Sequence, residues 1–312
     1  MSRSLCTAYF LAFLLLSGCS TLPQPSEAYA APQQFATVRE PDMTELSGIT
    51  ASRLNPDIYW THNDSGDSPR LFAIDGTGRR VGTIAIANAT AVDWEDIASF
   101  TLDGESWLLI ADVGDNFAVR HNLKLYFVRE PDLSQLSPDA VSVVNAEVVQ
   151  PLSFVDGPRD CEGVTVCPRS RKIMMISKRT EPPVLYEVPL DLDPARSGIA
   201  RVAQRVVPLS GIIPPTAAER AIPGRLGQYR SQVTAFDIST DGRRAAALTY
   251  GNIWVFERQG SEDWSQAFQR PPHRIPVRDL PQAEAVCFVP DSYDLIVTTE
   301  RGDAPVQRYH AN

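Results

Sequence analysis

Five short segments of this 312-residue chain align without gaps. They are Glu45-Leu46-Ser47-Gly48-Ile49, Asp93-Trp94-Glu95-Asp96-Ile97, Asp160-Cys161-Glu162-Gly163-Val164, Gln232-Val233-Thr234-Ala235-Phe236 and Gln282-Ala283-Glu284-Ala285-Val286. The first position is acidic or Gln, the third is Ser, Glu, Glu, Thr or Glu, and the fifth is large and apolar. A polar cluster follows each segment: His62-Asn63-Asp64-Ser65-Gly66-Asp67, Asp112-Val113-Gly114-Asp115-Asn116, Lys178-Arg179, Tyr250-Gly251-Asn252 and Glu300-Arg301-Gly302-Asp303. Three of these clusters combine an acid or amide, a Gly and an Asp, and glycine permits a tight turn and close approach of backbone. Carboxylates brought together from several segments raise one another's pKa and destabilise the fold unless something relieves them. Two arrangements would do so. One is a hard cation such as calcium, which takes oxygen from Asp, Glu, Asn, carbonyls and water. The other is a ring of ion pairs with Lys178, Arg179, Arg230 and Arg301. His62 is the single imidazole nearby, which argues against zinc. The candidate metal or ligand residues are Glu45, Asn63, Asp64, Glu95, Asp112, Glu162, Glu284 and Glu300. Lys178, Arg230 and Arg301 are the candidates for contact with an anion.

The elements that must hold these residues read as strands. After each segment comes a turn, carried by Asn55-Pro56-Asp57, Asp103-Gly104, Pro168-Arg169-Ser170, Asp241-Gly242 or Pro290-Asp291, and such clusters between apolar runs mark hairpins. Second strands are expected at 58–61, 107–111, 173–177, 245–249 and 295–299, and third strands at 70–74, 123–128, 184–188, 252–256 and 306–309. Four units continue into a fourth candidate strand. Four-stranded units repeating roughly every 50 to 70 residues are the sequence form of an all-β propeller. The count gives five blades of four-stranded antiparallel sheet. Residues 35–39, ahead of the first segment, supply the strand missing from the last unit and close the ring. Six blades is the alternative, if the stretch between Val206 and Gln232 hides a degenerate unit; Pro214-Pro215 and Pro223-Gly224 mark it as a loop. Arg220, Arg225 and Arg230 in that loop form either a solvated surface or a cover that meets an anionic ligand. Trp60, Trp94, Trp107 and Trp254 fall in strand patterns and read as packing between blades.

The chain begins with one positive charge, Arg3, then an apolar run to Leu16 that is too short to span a bilayer, then Leu16-Ser17-Gly18-Cys19. Leu-Ser-Gly-Cys resembles the bacterial lipobox. That implies a signal peptide over 1–18, acylation (a palmitate-type chain included) of Cys19, a flexible tether over 19–34 and a propeller domain over 35–312. Two lipid signals are needed for stable anchoring. Ser20 after the cysteine implies sorting to the outer membrane, facing the periplasm. The formal net charge of −9 argues against nucleic acid as a partner. Cys161, Cys167 and Cys287 remain after processing. Cys161 and Cys167 share one expected strand, roughly 20 Å apart, and cannot bond to each other. Buried free thiols is one reading, and a bond from Cys287 to one of them the other.

The segments opened by Glu45, His62 and Asp160 resemble those of exported bacterial propellers of the TolB-like and esterase-like-phytase kind, where E-x-S-G-I and D-x-E-G-(I/V) open the blades. The related gluconolactonase and regucalcin group holds a divalent metal at the channel mouth. The resemblance implies Glu45, Asn63, Asp112 and Glu162 as counterparts of its ligands. No Gly-x-Ser-x-Gly, P-loop, dinucleotide fingerprint or His-Glu-x-x-His occurs. Two functions are therefore expected. The first is a membrane-anchored module that binds or scaffolds a protein or small-molecule ligand at an acidic channel mouth. The second is a metal-dependent hydrolase of a phosphoester, ester or lactone, with Glu or Asp as base on water.

Overall fold

A computed structural model describes residues 28–224 and 227–312. Cys19, the signal segment, the tether up to residue 27 and Arg225 lie outside the described residues. Strand β1 (Gln33–Val38) precedes a first unit of β2 (Leu46–Ala51), β3 (Ile58–Asn63), β4 (Arg70–Asp75) and β5 (Arg80–Ile86). A second unit has β6 (Trp94–Leu102), β7 (Glu105–Asp112) and β8 (Leu123–Arg129), followed by β9 (Val141–Val144) and β10 (Val148–Phe154). The third is β11 (Cys161–Cys167), β12 (Lys172–Ser177), β13 (Val184–Pro189) and β14 (Arg201–Pro208). Next come β15 (Val233–Ile238), β16 (Arg244–Thr249), β17 (Asn252–Glu257) and β18 (His273–Pro276). The last three are β19 (Ala283–Phe288), β20 (Leu295–Thr299) and β21 (Ala304–Tyr309). Two four-residue helices, α1 (Ala217–Arg220) and α2 (Trp264–Ala267), are the α-helices among the described residues.

Each unit is an antiparallel meander, and the first strands β2, β6, β11, β15 and β19 pack against one another in cyclic order, with β19 returning to β2. The fold is nearly all-β and propeller-like. Strand β1 pairs antiparallel with β21, so the two ends of the chain share a sheet. The packed chain starts ahead of residue 35: Tyr29 is buried and bridges Ala311. The stretch from Leu209 to Gln232 carries no strand among the described residues. The hairpin turns fall where expected, with left-handed backbone at Asp57, Asp103, Gly104, Arg171, Gly242 and Asp291.

Two seams depart from the plain antiparallel plan. After β8 the chain crosses to run as β9 parallel to β5 before it returns as β10. Strand β10 then pairs parallel with β14, which merges the second and third units into one eight-stranded sheet. Both seams cover outer strand edges whose N–H and C=O groups would otherwise be open.

The core lies between sheets. Trp60, Trp94, Trp107 and Trp254 are all buried there, as the strand pattern requires. Cys161 and Cys167 are the first and last residues of β11. With Cys287 they are buried free thiols, and no disulfide joins them.

Candidate functional site: an acidic channel mouth

All five first strands carry the same irregularity. Their register shifts between Leu46 and Gly48, Trp94 and Asp96, Cys161 and Gly163, Val233 and Ala235, and Ala283 and Ala285. The residue skipped is the third of each aligned segment: Ser47, Glu95, Glu162, Thr234 or Glu284. A bulge leaves its extra residue unpaired and re-aims its side chain. That is why three of five such positions can be glutamate and yet be buried at one end of the ring. A second device gathers the acids. A residue one or two places after a second strand donates its N–H to the carbonyl of a segment's first residue: Asp64 to Glu45 at 2.8 Å, Gly114 to Asp93 at 3.2 Å, Lys178 to Asp160 at 3.1 Å and Glu300 to Gln282 at 3.0 Å. The two sets of polar clusters recognised in the sequence are thereby tied to each other.

Two carboxylate triads result. Asp64, Asp93 and Glu95 each offer an oxygen within 4.8 Å of the others, and so do Glu95, Asp160 and Glu162. Glu95 belongs to both. Gly114 passes so close that a Cβ there would overlap the carboxylates of Glu95 and Asp93. The cations are unevenly shared. Lys178 Nζ pairs with Glu162, both side chains being buried, and lies 5.4 Å from the centre of the Tyr250 ring. Arg179 Nε is 2.6 Å from Asp160 Oδ2. Arg120 Nη2 is 2.7 Å from Asp112 Oδ1. Among the described residues, no cation stands within ion-pair distance of Asp64, Asp93 or Glu95.

The protonation equilibria follow this imbalance. Burial, then repulsion from Asp93 and Glu300, pushes Asp64 up to about 6. Burial also raises Asp93, with Asp160 and Asp112 adding to it against the pull of Arg120. Burial and then Glu162 hold Glu95 well above the usual carboxylate range. Burial raises Glu162 too; Lys178 opposes it and Glu284 reinforces it. Burial works against the charge on Lys178, but Glu162 and Glu284 keep it firmly protonated.

Of the residues shortlisted from sequence, Asp64, Glu95 and Glu162 join the two triads, and Glu284 and Glu300 act on them electrostatically. Three others stand outside the triads. Asn63 accepts from the Glu45 N–H and donates to Asp42 O and Asp67 Oδ2. Asp112 accepts from Arg120 and from the Asp93 N–H. Glu45 is exposed. The quartet implied by resemblance, Glu45, Asn63, Asp112 and Glu162, thus contributes Glu162 alone. Of the anion candidates, Lys178 sits in the cluster, Arg230 turns to Glu219 at 3.2 Å, and Arg301 is exposed. Asp93 and Asp160, at the first position of their segments, complete the triads without having been shortlisted.

No protein-family model matches the chain, and no curated protein sequence matches it significantly. Among solved structures, a luciferin-regenerating enzyme aligns at 14% identity and TM-score 0.42, over 85% of this chain and 78% of that one. Hydrazine synthase of Kuenenia stuttgartiensis aligns at 12% identity and TM-score 0.40, over 85% of this chain and 72% of that one.

A further pair of acids, which the sequence reading passed over, ties the first strands together around the axis. A first strand has one hydrogen-bonded neighbour within its sheet, so its other edge faces the axis. Asp96 accepts the N–H of Ile97 at 2.9 Å, of Val164 on β11 at 2.8 Å and of Phe236 on β15 at 3.1 Å. Asp237 accepts the Phe288 N–H on β19 at 2.8 Å and the Thr165 hydroxyl at 3.2 Å. These carboxylates satisfy buried N–H groups that no strand reaches. The signal was present: the fourth position of the aligned segments is Gly, Asp, Gly, Ala and Ala, and Asp96 is its one large, charged member.

Proposed function

We propose that this chain is a five-bladed propeller and an exported, lipid-anchored binding module whose channel mouth takes one hard divalent cation, calcium or a similar ion, at Asp64, Asp93 and Glu95. The observation that carries the reading is the imbalance of charge: Asp160 and Glu162 have ion-pair partners, and among the described residues the Asp64–Asp93–Glu95 triad has none within ion-pair distance. An all-oxygen ligand set of this kind suits calcium, and three protein ligands leave coordination positions for water or the oxygen of a ligand. The cyclic packing of β2, β6, β11, β15 and β19 supports the blade count. The loop beside the mouth leaves Phe117 86% and Val119 65% exposed, an apolar tip of the sort that marks a contact with a partner. Calcium titrated into chelator-treated protein is expected to bind at one ion per chain, and Glu95→Gln should weaken it at least tenfold. Calorimetric titration that registers no binding to the wild type would reject the site.

Metal-dependent hydrolysis of a phosphoester, ester or lactone is the second reading. It draws on Glu95 and Glu162, whose raised proton affinity suits a carboxylate that, once ionised, takes a proton from water. Turnover of such substrates that requires calcium and is lost in Glu162→Gln would favour it over simple binding. Anchoring through Cys19 to the outer membrane, facing the periplasm, rests on the lipobox-like Leu16-Ser17-Gly18-Cys19. Cys19→Ala should abolish incorporation of labelled fatty acid, and unchanged labelling would exclude the anchor.

A further inference from the structure

We infer that Lys178 is a built-in occupant of a second cation site, formed by Glu95, Asp160 and Glu162, and that it limits the mouth to a single bound divalent ion. The inference rests on the reading of Asp64, Asp93 and Glu95 as the first site.

The two triads share Glu95 and are alike in donor chemistry: three carboxylates whose oxygens come within 4.8 Å of one another. They differ in what fills them. In the second triad Lys178 Nζ pairs with Glu162 and Arg179 with Asp160. Glu95 is 4% exposed, and its carboxylate has no hydrogen-bond or ion-pair partner among the described residues. It is aimed into both triads, as a shared ligand must be. Lys178 is brought in by a backbone tie, its N–H to Asp160 O at 3.1 Å, so the ammonium belongs to the frame of the site and does not arrive from a mobile surface loop. An ammonium and a divalent ion compete for the same carboxylates. A dication placed in the second triad would have to displace a buried lysine from its pairing with Glu162 and its place against Tyr250.

The limit has a chemical consequence. Two-metal hydrolysis of phosphoesters depends on a pair of ions about 4 Å apart that clamp both the attacking and the leaving oxygen. With Lys178 in place the mouth offers one ion and a fixed ammonium, a pairing suited to holding a ligand carboxylate, carbonyl or single phosphate oxygen.

The test is the number of calcium ions bound per chain at saturation, measured by equilibrium dialysis on wild type, Lys178→Met and Lys178→Arg. The wild-type count bears on the first site, and its change on removing the ammonium bears on this inference. We expect Lys178→Met to bind one more ion than wild type, and Lys178→Arg to match wild type. A Lys178→Met count no higher than wild type overturns the inference, whatever the wild type binds; a wild type that already binds two ions overturns it as well. If the wild type binds none and Lys178→Met binds one, the first site is lost and the occupied second site stands. Should Lys178→Met be unfolded in chelator, its far-UV β signal should return as calcium is added, because the ion replaces the missing charge. Failure to recover at any calcium concentration also overturns the inference.

Discussion

Calcium should raise the melting temperature of the chelator-treated protein more at pH 7 than at pH 5. The sign follows from the direction of the shifts. Asp64 is raised to about 6, and Asp93 and Glu95 are raised as well. A carboxyl whose pKa is higher folded than unfolded keeps its proton in the folded state over a range where the unfolded chain has released it. The ion-free protein therefore loses stability as pH climbs from about 4 through about 6. Above that window Asp64 has given up its proton in the face of Asp93 and Glu300, and a bound dication has more charge to relieve. Below it, protons compete with the ion. A ligand that binds only the folded state adds about 2.7 kcal/mol at a hundredfold excess over its dissociation constant. For a chain of this size that corresponds to a rise of about 5 °C at pH 7. Glu95→Gln separates the ion from a general salt effect, because it removes one repelling charge and one ligand together. Its ion-free form should melt no lower than wild type at pH 7, and its response to calcium should nearly vanish. A melting curve unmoved by millimolar calcium at pH 7 would reject the ion and leave the raised proton affinity of Asp64, Asp93 and Glu95 as what relieves their repulsion.

How much of this site could be read from sequence depends on which interactions are local. The five aligned segments locate the first strands to within a residue, since each begins one residue after Glu45, Asp93, Asp160, Gln232 or Gln282. The shared third position is explained by a bulge common to all five, a constraint that acts along a single strand and its neighbour. The parallel seams were not legible. Strand β9 is a short run, Val141-Ser142-Val143-Val144, with no turn chemistry to say which edge it will join, and it joins that of a preceding unit. The acidic cluster was half legible. Acids at the first and third positions were visible, but the choice among them depends on hydrogen bonds a sequence does not display. Asn63 is consumed by Glu45, Asp42 and Asp67, and Asp112 turns one of its oxygens to Arg120 and the Asp93 N–H. The pairing of Glu162 with Lys178 joins residues 16 apart in sequence, and it follows only once the tie from Lys178 to Asp160 is known.

The largest loss of stability is expected from Asp96→Ala. Its carboxylate accepts backbone N–H groups from three of the strands that surround the axis, and alanine cannot replace it. The N–H groups of Val164 and Phe236 would be left buried without an acceptor, at a cost of about 1 to 3 kcal/mol each. Against this stands the cost of keeping a carboxylate in that place, which burial makes considerable. The first effect should win. Removing an acceptor from donors fixed in strand backbone leaves them no freedom to turn elsewhere, whereas the three donors already offset part of the burial that raises the Asp96 carboxyl. A net loss of about 2 to 3 kcal/mol is expected, or on the order of 5 to 8 °C in melting temperature. Asp96→Asn provides the internal comparison. Its carbonyl oxygen can still accept from Val164 and Phe236, but its amide faces the Ile97 N–H, so its cost should be roughly half that of alanine. Asp237→Ala forfeits one backbone N–H bond and one hydroxyl bond and should fall below Asp96→Ala as well. Urea unfolding of the three variants should therefore rank Asp96→Ala as the most destabilised. If Asp96→Ala proved no worse than Asp96→Asn, the N–H groups around the axis would have to be reached by water, and the ring of first strands would be more open than these carboxylate ties require.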